Sequence, residues 1–145
     1  MSDVLTPSQI KVPGTARSKQ DAIAEAGQIL VEAGAVGPGY IDSMYEREKS
    51  VSTYMGSYLA IPHGTNETKH TITRSALSVV KYDAPIDWDG NEVRFVLGVA
   101  GYQGRHLDVL SKVARVFADN AEVDKLLGAQ SAAEILELLE SVNTT

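Results

Sequence analysis

Apolar positions recur at helical spacing between Ser18 and Ala33: Ala22, Ile23, Ala26, Ile29, Leu30 and Ala33 fall on one face. Ser18 with Asp21 three residues on is a shortened capping box, and Gly34 is a stop signal. After the turn "GPGY", a second helix is predicted from about Pro38. It carries Ile41, Met44 and Tyr45 inward and has Arg47 near its end. The middle of the chain changes to strand patterns. Tyr58–Ile61 is short, while Ser75–Tyr82 and Val93–Ala100 are longer, with "DAPIDWDGN" between them as a loop whose clearest turn signal is Asp89-Gly90. Val93–Ala100 is apolar on both alternating sets, which predicts a central strand covered on two faces. Helical spacing returns after "GYQG". Leu107, Leu110, Val113, Ala114 and Phe117 form a stripe. Shorter helices follow near Ala121–Leu127 and from Ser131 to Val142, the last opened by a Ser131/Glu134 capping box and turning Ile135, Leu138 and Leu139 inward. Helices before and after one group of strands predict an α/β sandwich.

Composition narrows the function classes. The 145 residues suit one domain spanning 1–145, with 43% apolar and 22% charged residues. A net charge of −6 argues against nonspecific nucleic-acid or anionic-membrane binding. With no cysteine, disulfides, thiolate metal sites and a thiol nucleophile are excluded from this chain. No apolar leader or membrane-length apolar run is present, so a cytoplasmic protein is the expectation.

Reactive candidates are few. His63 ends a strand between Pro62 and Gly64, and Thr65 adds a hydroxyl. Pro62 biases Ile61 to an extended backbone, and Gly64 removes a side chain beside the imidazole, as an approaching partner would need. A buried core histidine fits the same three residues. His106 opens a predicted helix, where unsatisfied amides and the positive dipole end attract phosphate. A surface helix-start residue is the alternative. Arg47 sits in "YEREKS", either on a solvated face of alternating charge or with its planar fork turned to a phosphate. His70 lies in the polar stretch "NETKHTIT", read as surface. No P-loop, no G-x-S-x-G elbow and no histidine pair at i, i+4 spacing is present.

The longer string "REKSVSTYMGSYLAIPHGT" resembles the signature of EIIA domains of the fructose–mannitol class of the bacterial phosphoenolpyruvate-dependent sugar phosphotransferase system, its mannitol-specific branch above all. "SKQDAIAEAGQILVEAGAV", "HLDVLSKVARVF" and "SAAEILELLESV" extend the resemblance over most of the chain. It implies a three-layer sandwich with a mixed, mostly parallel five-stranded sheet and helices on both faces. It implies that His63 accepts a phosphoryl group from the phosphohistidine of HPr and passes it to a cysteine of the cognate EIIB domain. His106 would be the second active-site histidine and Arg47 the active-site arginine. No nucleotide, metal or other cofactor is required, because the donor is already a phosphohistidine. Such chemistry needs His63 deprotonated on the attacking nitrogen, with the other nitrogen donating to a fixed acceptor such as a backbone carbonyl. An acid found in some members six residues before the phosphorylated histidine is Ser57 here. Some relatives on this fold are phosphorylation-dependent regulators, so a regulatory module that binds a partner protein is the alternative.

Overall fold

The computed structural model of the chain describes residues 4–65, 71–102 and 105–143, with His106 described in its backbone only. Among these residues the strands are β1 (Ile10–Lys11), β2 (Tyr54–Gly56), β3 (Leu59–Ala60), β4 (Ala76–Trp88) and β5 (Asn91–Ala100). The helices are α1 (Lys19–Glu32), α2 (Tyr40–Ser50), α3 (His106–Phe117), α4 (Asn120–Gly128) and α5 (Ala132–Leu138). The strands form one sheet in the order β1-β4-β5-β3-β2, so β5 lies at its centre, as its unbroken apolar run predicts.

The sheet is mixed and five-stranded, but the expected parallel majority is absent. β1–β4 and β3–β5 are parallel, while β4–β5 and β2–β3 are antiparallel. The reason is the turn between β4 and β5. Asp89 (φ 55°) and Gly90 (φ 94°) are both left-handed, the signature of a two-residue hairpin, which can only return the chain antiparallel. The predicted loop over "DAPIDWDGN" is therefore mostly strand. β4 continues through a register irregularity between Lys81 and Ile86, exposing Asp83, Ala84 and Pro85 and then burying Ile86 and Trp88.

Alternation along the strands builds the three layers. Leu77, Val79, Phe95, Leu97 and Val99 face Val109, Val113, Phe117, Val123, Leu126 and Ile135 of the later helices. Ala76, Val80, Tyr82, Val93, Val96 and Ala100 face Ala22, Ile23, Ala26 and Leu30 of α1 and Tyr40 and Met44 of α2. Phe95 and Phe117 meet edge-on with ring centroids 5.5 Å apart.

The caps follow the sequence. Ser18 accepts from the Asp21 amide, and Ser131 from the Glu134 amide. Two helix faces differ from those the periodicity predicts. On α3 the buried residues are Val109, Val113 and Phe117, whereas Leu107 and Ala114 are exposed. On α2 the deepest positions are Tyr40, Ser43, Met44 and Glu48, with Ile41 and Tyr45 half-buried. The helix predicted to reach Val142 ends at Leu138 and continues as a 3₁₀ turn, Glu140–Asn143.

Candidate functional site

His63 follows β3 and forms a parallel bridge with Val99 at the end of β5. Its backbone is held on both sides. The Val99 amide donates to the Pro62 carbonyl at 3.1 Å, and the Ile61 amide to the Thr53 carbonyl at 3.0 Å. The half-buried imidazole places Nδ1 2.9 Å from the Ile61 carbonyl oxygen. A carbonyl only accepts, so Nδ1 carries the proton and, in the neutral ring, the lone pair is on Nε2.

The histidine lines a cleft of about 710 Å³ together with Arg47, Val51, Thr53, Met55, Thr65 and Leu107. α2 delivers Arg47 from its last turn. One guanidinium nitrogen donates to the Val51 carbonyl at 3.1 Å, fixing the chain as it leaves the helix. α3 begins beside the same cleft: Leu107 and Leu110 line it, and its N-cap residue, Arg105, makes no side-chain cap. The first-turn amides of α3 thus bring a positive dipole end to this region. His106 is the first residue of α3, and its side chain lies outside the described residues, as does all of His70. The structure therefore brings His63 and Arg47 to one cleft, and the backbone of His106 to the helix start next to it.

Gly64 has a different role from the one its place beside His63 suggests. A Cβ there would lie 2.5 Å from a ring carbon of Tyr40 and 2.7 Å from the Ser43 hydroxyl. Close packing against α2 is thus sufficient by itself to require glycine at this position. Burial raises the pKa of Tyr40, and the Gly64 amide only partly offsets this, so its hydroxyl stays protonated. Nothing in the sequence singles out Tyr40, whose place at the start of an amphipathic helix is that of any core tyrosine.

Ser57 lies in the β2–β3 turn with φ 51°, between Gly56 and Tyr58, which are also left-handed. It lines a separate hollow with Tyr54, Tyr58, Glu92, Asn120, Val123 and Asp124. Among the described residues that line the His63 cleft, Ser57 is absent.

The cleft has an apolar rim. Val51 (62% exposed), Met55 (53%) and Leu107 (66%) all line it. Sequence periodicity assigned Leu107 to the core; exposure makes it rim. Among the described residues no group of three or more His, Asp or Glu is arranged to hold a metal, and no helix is long and apolar enough to cross a membrane.

A mixed α/β sandwich that brings a half-buried histidine and an arginine to one cleft has the parts a phosphoryl-carrying domain requires. The family model described as "Phosphoenolpyruvate-dependent sugar phosphotransferase system, EIIA 2" matches residues 3–142, and the chain belongs to that family. It is 51% identical over 140 residues to a mannitol-specific phosphotransferase enzyme IIA component of Halalkalibacterium halodurans, covering 97% of each chain. It superposes with TM-score 0.88 and 30% identity on a chain of the complex of enzyme IIAMTL and phosphorylated enzyme IIBMTL from Escherichia coli, covering 94% of this chain and 97% of that one. The nitrogen regulatory protein IIA-Ntr from Neisseria meningitidis matches with TM-score 0.81 and 27% identity, covering 94% and 96%. The chain is thus a phosphotransferase system component, and the curated relative it matches at 51% identity is named mannitol-specific.

Proposed function

We propose that the chain, acting as one domain in the cytoplasm, carries a phosphoryl group from phospho-HPr to a cysteine of a cognate EIIB, in mannitol uptake. The observation that carries this reading is the His63 ring, whose Nδ1 is committed to the Ile61 carbonyl while Arg47 shares its cleft. The Nε2 lone pair attacks phosphorus, the P–N bond to the HPr histidine breaks, and that histidine keeps the bonding electrons. In the second half, an EIIB thiolate attacks phosphorus and the bond to Nε2 breaks. The dissociative centre carries spread negative charge. Arg47, the first-turn amides of α3 and an N–H of His106 neutralise it. The exposed Val51, Met55 and Leu107 give a partner an apolar patch around the histidine.

The test is to incubate the protein with phosphoenolpyruvate, enzyme I and HPr, map the phosphosite, then offer a mannitol EIIB. Label on His63 that moves to the EIIB cysteine is expected, and His63→Ala should take up none. Full phosphorylation of that variant would sink the assignment. The likeness to IIA-Ntr supports a second reading, a regulatory module. Label stable on His63 with no EIIB able to discharge it, together with phosphorylation-dependent binding of a partner protein, would favour that one.

A further inference from the structure

Two buried polar side chains of α2 take no part in the transfer described above, yet Tyr40 ends on the residue next to His63 and Glu48 on Thr53, which pairs with the segment that carries it. Tyr40 is 4% exposed. Its hydroxyl donates to the Val99 carbonyl at 2.8 Å and accepts from the Gly64 amide at 2.9 Å. Glu48 is 7% exposed. Its carboxylate accepts from the Thr53 amide at 2.9 Å, the Thr53 hydroxyl at 2.5 Å and the Trp88 indole N–H at 3.2 Å, with the Lys19 ammonium at 3.4 Å.

The Thr53 contact leads to the ring in two steps. The Thr53 carbonyl accepts from the Ile61 amide at 3.0 Å, and the Ile61 carbonyl accepts from His63 Nδ1 at 2.9 Å. Glu48 thus fixes the backbone upstream of His63 and Tyr40 fixes it downstream. Arg47 is next to Glu48 on the same helix and is tied to Val51, two residues before Thr53. A helix is a stiff ruler, so α2 holds the chain on both sides of the nucleophile and the guanidinium in one frame.

We propose that Tyr40 and Glu48 are positioning residues: from α2 they set the tautomer and aim of the His63 ring and its spacing from Arg47. The proposal rests on the phosphocarrier reading of His63. Its physical basis is that phosphoryl transfer depends on alignment more than on covalent help from the protein, so small displacements cost large factors in rate.

The variants are Tyr40→Phe, which keeps the ring beneath Gly64 and removes both hydrogen bonds, Glu48→Ala, and the conservative Glu48→Gln. Two readouts are needed. The first is the ¹⁵N spectrum of the His63 ring in unphosphorylated protein. Wild type should show the Nδ1–H tautomer, and Tyr40→Phe and Glu48→Ala should shift toward a mixture of tautomers. The second is phosphate uptake from phospho-HPr. The rate at saturating donor should fall about 10- to 100-fold, as misaligned groups do. The half-saturating donor concentration should change less than about twofold, because the docking rim is untouched. Glu48→Gln should recover much of the loss.

A folded Tyr40→Phe or Glu48→Ala with wild-type tautomer and rate would overturn the proposal, as would a fall in melting temperature with both readouts unchanged. Should Glu48→Ala fail to fold, Tyr40→Phe decides the matter. If wild type takes no phosphate on His63, the carrier reading fails, while the tautomer comparison still decides whether Tyr40 and Glu48 position the ring.

Discussion

Arg47 shares the cleft of His63 and Gly64 follows it in the chain, and a conservative replacement tests each. Arg47→Lys keeps the charge but replaces a planar fork by a point donor. Transfer from phospho-HPr should slow roughly ten- to hundredfold with an unchanged melting temperature; wild-type kinetics would return Arg47 to a role on a solvated face. Gly64→Ala separates two explanations of the glycine. An added Cβ 2.5 Å from the Tyr40 ring overpacks the α2 contact. The variant should lose about 1–3 kcal/mol in denaturant unfolding. If the glycine served only to clear a partner's approach, stability would be unchanged and only docking would suffer.

Within single elements, local rules decide. The β4–β5 hairpin needs left-handed backbone at both Asp89 and Gly90. Gly90→Ala should destabilise the protein by about 1 kcal/mol, read as a lowered midpoint of urea unfolding. Ser131 accepts the Glu134 amide and opens α5. Ser131→Ala should cost about 1 kcal/mol by the same measurement, with phosphate uptake intact, since α5 packs on the sheet face opposite α2.

Across the whole molecule, Glu25 ties α1 to the chain that leaves β1 and to the sheet. It accepts from the Thr15 and Ala16 amides and the Tyr82 hydroxyl, and pairs with Lys11 at 2.6 Å. Burial pushes its pKa up, but Lys11, Tyr82 and Thr15 outweigh that and hold it down at about 2, against an ordinary 4.5. A depressed carboxylate stabilises the fold above its unfolded pKa, and that contribution is lost as the pH falls through the folded one. The melting-temperature gap between wild type and Glu25→Gln should be constant above about pH 5 and should close between about pH 4.5 and pH 2. A gap independent of pH would assign the residue a packing role alone.

Long periodic segments were legible because they report burial on one face directly. α1 with its Ser18 cap, the central β5 and the Ser131 capping box all follow from spacing and cap chemistry. β1 and β2 were not legible, since two and three residues carry no periodicity and exist only because β4 and β3 pair with them. The outer half of β4 was hidden by Pro85 and the polar run around it. The site divides in the same way. The Pro-His-Gly motif and Arg47 stand out as residue types, and their motif identifies the family. The sequence by itself determined the long periodic elements, which side chains can carry chemistry, and that no cysteine of this chain takes part. Only tertiary structure decided which nitrogen of His63 keeps its lone pair, that Gly64 answers to the Tyr40 ring, and that Leu107 lies on a rim. The tautomer rests on a contact two residues long, from His63 Nδ1 to the Ile61 carbonyl, but the pairing of that segment with Thr53 and Val99 aims it. The other two facts join residues tens of positions apart, which no local pattern encodes.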